Sequence, residues 1–212
     1  MEDKKNQPES IIINNEKQNT AEINTGKKEK KFFENSFVLI IVIGLIALAI
    51  RLFVFQPYIV SGQSMEPNYH DNEYMLVEKI SGYSKNYHRG DVVVFKNPNN
   101  TNEVFLKRVI GLPGEKIQID KNDIKIYNNK YPGGIALQED YLSKNLLPKE
   151  YAKANFSLEN NQYFLMGDNR GNSIDSRIFG PVDENLIIGK TWLEMNGFLN
   201  FEKILTPEYS FL

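Results

Sequence analysis

The feature that most constrains this chain is the run Ser36–Phe55, SFVLIIVIGLIALAIRLFVF, in which Arg51 is the single charge. As a helix it would rise about 30 Å, the thickness of a bilayer's hydrocarbon core. A core helix of a soluble domain would be amphipathic, and this run is apolar all round. It therefore reads as a membrane span over 36–55. Arg51 lies near one end, where its aliphatic stem lets the charge snorkel to the headgroups. Ala47-Leu48-Ala49 has the small-x-small form of a signal-peptide cleavage site. The apolar run nevertheless continues past it to Phe55, which favours an uncleaved anchor over a removed signal.

The 35 residues before the run are polar and rich in Lys, Asn and Glu, with Ile11-Ile12-Ile13 as a short apolar patch. Such a composition buries too little apolar surface to offset its ordering entropy, so 1–35 is predicted to be a disordered tail. It ends in Lys27, Lys28, Lys30 and Lys31. Positive charge on that side predicts a single-pass topology with a cytoplasmic tail and an extracytoplasmic remainder, 56–212. The 157 residues after Phe55 suffice for one sizeable core.

That remainder reads as strands. Val92-Val93-Val94-Phe95 closes on Asn97-Pro98-Asn99-Asn100, and Val104–Ile110 closes on Gly111-Leu112-Pro113-Gly114. Lys116–Asp120 and Ile124–Tyr127 alternate with period two around a Lys121-Asn122 turn, a hairpin signature. A short helix is expected within Glu139–Ala154. The predicted fold is mostly β, a partly open barrel or folded sheets, with a smaller β subdomain inserted within 111–167.

Composition then narrows the chemistry. There is no cysteine, which excludes thiol nucleophiles, disulfides and Cys-based zinc or iron–sulfur sites. A Ser-His-Asp triad would have to use one of the two histidines, His70 or His88. With 25 basic and 27 acidic residues the chain offers no overall attraction to nucleic acid. No metal and no organic cofactor is implied.

Three polar islands interrupt the strands. Ser61-Gly62-Gln63-Ser64-Met65-Glu66-Pro67 can present a hydroxyl at a tight bend, although such stretches are usually plain turns. Lys107 reads either as an ordinary outward-facing strand lysine or, in the pleat phase of Phe105 and Val109, as an inward-facing one. Desolvation there would lower its proton affinity and suit it as a general base. Gly167–Arg177 packs Asp, Asn, Ser and Arg densely after the apolar Tyr163–Met166, and Asp–Arg pairs can hold a loop rigid.

Ser64–Pro67, Arg89–Val93, Lys107–Glu115 and Gly167–Arg177, in that order behind an N-terminal anchor, resemble the sequence boxes of bacterial type I signal peptidases. The likeness is to the shorter, Gram-positive-like form of these leader peptidases and extends from about residue 36 to 200. It implies a serine endopeptidase of the cell membrane that cleaves signal peptides from exported preproteins after small residues at −1 and −3, beside the secretion translocon. Carried over by position, Ser64 matches the nucleophile, Lys107 the general base, and Ser173 a hydroxyl that orients the lysine. Asp168, Asp175 and Arg177 match bracing positions, and Arg108 follows the lysine. Gly62 stands where some members have a serine that completes the oxyanion hole, and Asn68 stands where threonine is usual. Three rivals are a histidine-based protease, a self-cleaving Ser-Lys repressor and a non-catalytic β-domain that binds secreted proteins or lipid. The repressor would need a soluble DNA-binding domain where this chain has its apolar run.

Overall fold

The computed structural model describes residues 36–121, 123–142, 151–196 and 200–203. The chain divides into two units, Met1–Ile50 and Arg51–Leu212. The expectation for the tail, 1–35, concerns residues outside those described. Helix α1, Ser36–Phe53, is among the described residues the one helix long and apolar enough to cross a membrane. It stops two residues short of the sequence expectation: Val54 turns and Phe55 opens a strand. Pro57 accounts for this, because its ring disfavours helical backbone at Gln56 and it has no N–H to continue the ladder. Lys79 occupies freed carbonyls, donating from its backbone N–H to Val54 O and from Nζ to Leu52 O, each at 2.8 Å.

The rest is mostly β. In chain order the strands are β1 (Phe55–Ile59), β2 (Tyr74–Glu78), β3 (Val92–Asn97), β4 (Asn100–Gly111), β5 (Lys116–Lys121), β6 (Asp123–Tyr127), β7 (Ile135–Ala136), β8 (Tyr151–Ser157), β9 (Gln162–Met166), β10 (Val182–Asp183), β11 (Ile187–Asn196) and β12 (Asn200–Lys203). Two short helices interrupt them, α2 (Ile80–Ser84) and α3 (Ser176–Phe179). An eight-stranded sheet runs β1-β2-β11-β3-β4-β9-β10, with β12 on β11. A four-stranded sheet runs β7-β6-β5-β8. Register shifts between Ile187 and Gly189, and between Thr191 and Leu193, interrupt the β11 ladders; such bulges bend a strand and raise its twist.

Strands β4 and β9 divide two cores. Val109, Tyr163 and Leu165 pack with Val93 and Phe95, while Ile110, Phe164 and Met166 pack with Ile117, Ile119, Ile124 and Ile126 of the smaller sheet. Burial on both faces explains why Tyr163–Met166 reads as a continuous apolar run. The smaller sheet needs only one apolar face, hence the alternation of exposed Asp123 and Lys125 with buried Ile124 and Ile126. A third cluster, Val60, Met65, Tyr69, Met75 and Val92, lies under the β1–β2 connection.

The helix expected within Glu139–Ala154 is not formed at the two described ends of that stretch. Leu142 N–H donates to Glu139 O in a turn, residues 143–150 lie outside those described, and Tyr151–Ser157 is a strand paired with β5. Its exposure alternates from Lys153 to Ser157, and Phe156 meets Phe164 at 4.7 Å between ring centres. Strand β4 also starts earlier than expected, at Asn100, where Asn100 pairs with Asn97.

Candidate active site

Ser64 projects from a turn closed by Glu66 N–H donating to Gln63 O at 3.3 Å. Its neighbour Met65 is buried in the third core cluster and anchors the turn from below. The polar side is held by Asn169, whose N–H donates to Ser64 O and whose Nδ2 donates to Gln63 O, both at 3.0 Å. Both peptide planes flanking Ser64 are thereby fixed. The Ser64 N–H itself meets no protein acceptor among the described residues.

Lys107 reaches this turn from β4, opposite Val93 in register. The side chain is 4% exposed, its Nζ lies 2.7 Å from Ser64 Oγ, and it donates to Leu106 O at 2.8 Å. Burial pulls its pKa from 10.5 down to about 8; the negative charges of Asp175 and Asp168 oppose that fall and Arg177 reinforces it. An amine with that affinity is largely neutral just above pH 8 and can accept a hydroxyl proton. Ser64 and Lys107 lie in a cleft of about 630 Å³ whose walls include Tyr58, Ile59, Val60, Phe105, Leu106 and Ser173.

Under the cleft sits a layer of paired charge. Arg108, on the opposite face of β4, donates from Nε and Nη2 to the two oxygens of Asp168, at 2.8 and 2.5 Å, and from Nη1 to Gly90 O at 2.9 Å. Burial alone would weaken the Arg108 charge, but Asp168 more than compensates and its pKa is raised. Asp175 caps α3 and accepts two bonds from Arg177, at 2.8 and 2.7 Å, and one from Gly167 N–H at 3.0 Å. Its burial favours the neutral acid, yet Arg177 and Gly167 hold its pKa below 3.8. Gly167 has no substitute here, because a Cβ would overlap Ser173 Oγ and Ser64 O.

Most residues singled out in the sequence thus converge on one place, with two differences. Ser173 lines the cleft with a buried Oγ beside Asp175, whose pKa it helps to lower, and no bond joins it to Lys107. Gly62 adopts φ +90°, and its N–H is committed to Asp71 Oδ1 at 2.7 Å. Neither histidine lines the cleft; His70 is exposed and His88 lies 3.8 Å from Asp91.

Several participants went unforeseen. Asn68, the departure from the usual threonine, donates from Nδ2 to Asp168 Oδ2 at 2.9 Å, so its amide takes up a bracing bond. Glu139 pairs with buried Arg170, and the Tyr141 ring lies 4.3 Å from the Arg108 guanidinium carbon. The density of charge in 167–177 hinted at Arg170, whereas a partner 31 residues away carried no local signal.

A hydroxyl held against a buried amine is an arrangement suited to serine-type hydrolysis. Residues 33–195 match the family described as "Signal peptidase, peptidase S26". The chain is 39% identical to signal peptidase I T of Bacillus subtilis (strain 168), over 82% of this chain and 91% of that protein. It is 38% identical to a signal peptidase I of Bacillus amyloliquefaciens, covering 82% and 90%. A crystal structure of a signal peptidase I from Enterococcus faecalis V583 is 30% identical and aligns with TM-score 0.41, over 50% of this chain and 96% of that one. The chain belongs to the signal peptidase family, peptidase S26, and is a serine protease.

Proposed function

We propose that the chain is a membrane-anchored endopeptidase that removes signal peptides from preproteins with a Ser64–Lys107 dyad. The observation that carries this reading is the 2.7 Å contact between Ser64 Oγ and an Nζ buried enough to be neutral near pH 8. Neutral Lys107 takes the hydroxyl proton as Ser64 Oγ bonds to the scissile carbonyl carbon. The C–N bond then breaks, and Lys107 gives its proton to the departing amine. Water attacks the acyl-serine with Lys107 again as base, releasing the new carboxylate and restoring the hydroxyl. The unpaired Ser64 N–H is one donor to the oxyanion. Ser173, Asp168, Asp175, Arg108 and Arg177 support this geometry, while Gly62, with its N–H committed to Asp71, leaves the second oxyanion donor to another group or to water.

The apolar walls contributed by Val60, Phe105 and Leu106 support subsites for small side chains at −1 and −3. Helix α1 and the basic tail support an anchor in the cell membrane with the catalytic domain outside, where preproteins leave the translocon. The test is turnover of a fluorogenic peptide with Ala-x-Ala before the scissile bond by the full-length protein in detergent. Ser64→Ala and Lys107→Ala should each lose at least about 10³-fold in kcat with the fold intact by circular dichroism. Turnover surviving either substitution would refute the dyad.

A further inference from the structure

The segment 139–141 arrives from the smaller sheet and is clasped to the catalytic turn by contacts that the dyad does not use. Arg170, 3% exposed, donates from Nε to Gly167 O at 3.0 Å and grips both carboxylate oxygens of Glu139, Oε2 at 2.6 Å. Tyr141 Oη donates to Glu139 Oε1 at 2.6 Å and accepts from Arg170 Nη2 at 3.1 Å. The Tyr141 carbonyl accepts from Asn68 Nδ2 at 3.2 Å. A guanidinium this deeply buried persists only while its charge is matched.

The clasp leads directly to the nucleophile. Asn169 stands between Asp168, held by Arg108, and Arg170, held by Glu139. Its side chain fixes the carbonyl of the 63–64 peptide, and in a planar trans peptide the Ser64 N–H must point the opposite way. Its backbone N–H fixes the next carbonyl, Ser64 O. The aim of the oxyanion donor, and of Oγ at Lys107 Nζ, therefore follows the 167–170 turn.

We propose that Glu139 is a positioning residue for the reaction, acting through the Arg170 guanidinium and Asn169 on the two peptides that flank Ser64. This rests on the Ser64–Lys107 reading, and the experiment separates the two. In the fluorogenic Ala-x-Ala assay with full-length protein, Glu139→Gln is expected to lower kcat about 10- to 100-fold with KM changed by less than about twofold. Tyr141→Phe, which removes one hydroxyl and keeps the ring, should lower kcat about threefold in the same way. Thermal melts give the folded fraction at the assay temperature. Unchanged kcat in folded Glu139→Gln overturns the proposal, as does a loss no larger than the loss of folded protein. Should Glu139→Gln fail to fold, an unchanged kcat in Tyr141→Phe overturns it. Turnover that survives Ser64→Ala refutes the dyad reading instead.

Discussion

The four-stranded sheet contributes Ile117, Ile119, Ile124 and Ile126 to an aliphatic core, none more than 2% exposed. Beside it, β4 and the turn after β9 bury Lys107, Arg108, Asp168, Arg170 and Asp175, none more than 4% exposed. The two regions share strand geometry and differ in what they take out of water. Burying a charge is costly unless it is paired, so charges gathered in one region and missing from the next mark where chemistry constrains the chain. Four of the five are held in ion pairs; Lys107 faces a serine hydroxyl and a carbonyl instead of a carboxylate. Apolar packing builds the support, and paired charge builds the floor on which the proton affinity of one amine is lowered.

The contrast can be broken first from the charged side. Asp168→Asn keeps the shape but leaves Arg108 without its counter-charge, which should cost about 3–5 kcal/mol in urea unfolding. A cost under about 1 kcal/mol would mean that the ion pair does not hold the floor.

A pH change acts on the same region without mutation. If Lys107 is the base, as proposed, it acts in its neutral form, and its pKa is about 8, so kcat/KM should rise with pH through that value and level off above it. The protonated fraction makes the rate at pH 6 about 100-fold lower than at pH 9. A profile flat between those limits would remove Lys107 as the base.

The aliphatic region should answer more weakly and only in stability. Ile126→Val removes one methylene from a fully buried site, expected to cost about 0.5–1.5 kcal/mol in the same unfolding assay. The kcat of the folded variant should match that of the parent; a drop beyond about threefold would show that the smaller sheet tunes the site.

Legibility in the sequence followed the range of the interactions. Period-two alternation located β5 and β6, because the pleat writes itself into neighbouring residues. Part of the stretch where a short helix was expected, from Tyr151, is instead strand β8, whose Phe156 packs on Phe164. The helix ends two residues before the apolar run does, because Pro57 disfavours helical backbone at the residue before it. At the site, Ser64, Asp168 and Asp175 were legible in polar motifs, Lys107 in a strand and Asn68 as a departure from the usual threonine, whereas Glu139 and Asp71 lie outside any motif.

The amino-acid order by itself determined the apolar helix, the strand alternation, the exclusion of thiol chemistry and the three polar islands. All of these rest on residue type and short spacing. Tertiary structure alone decided that Ser64 and Lys107, 43 positions apart, meet at 2.7 Å. Strand alternation parts the neighbours Lys107 and Arg108, but tertiary structure alone decided what each meets, a hydroxyl for one and Asp168 for the other. Proton affinity depends on burial and on charges within a few ångströms, and those are set only when β4, β9 and the Ser64 turn come together.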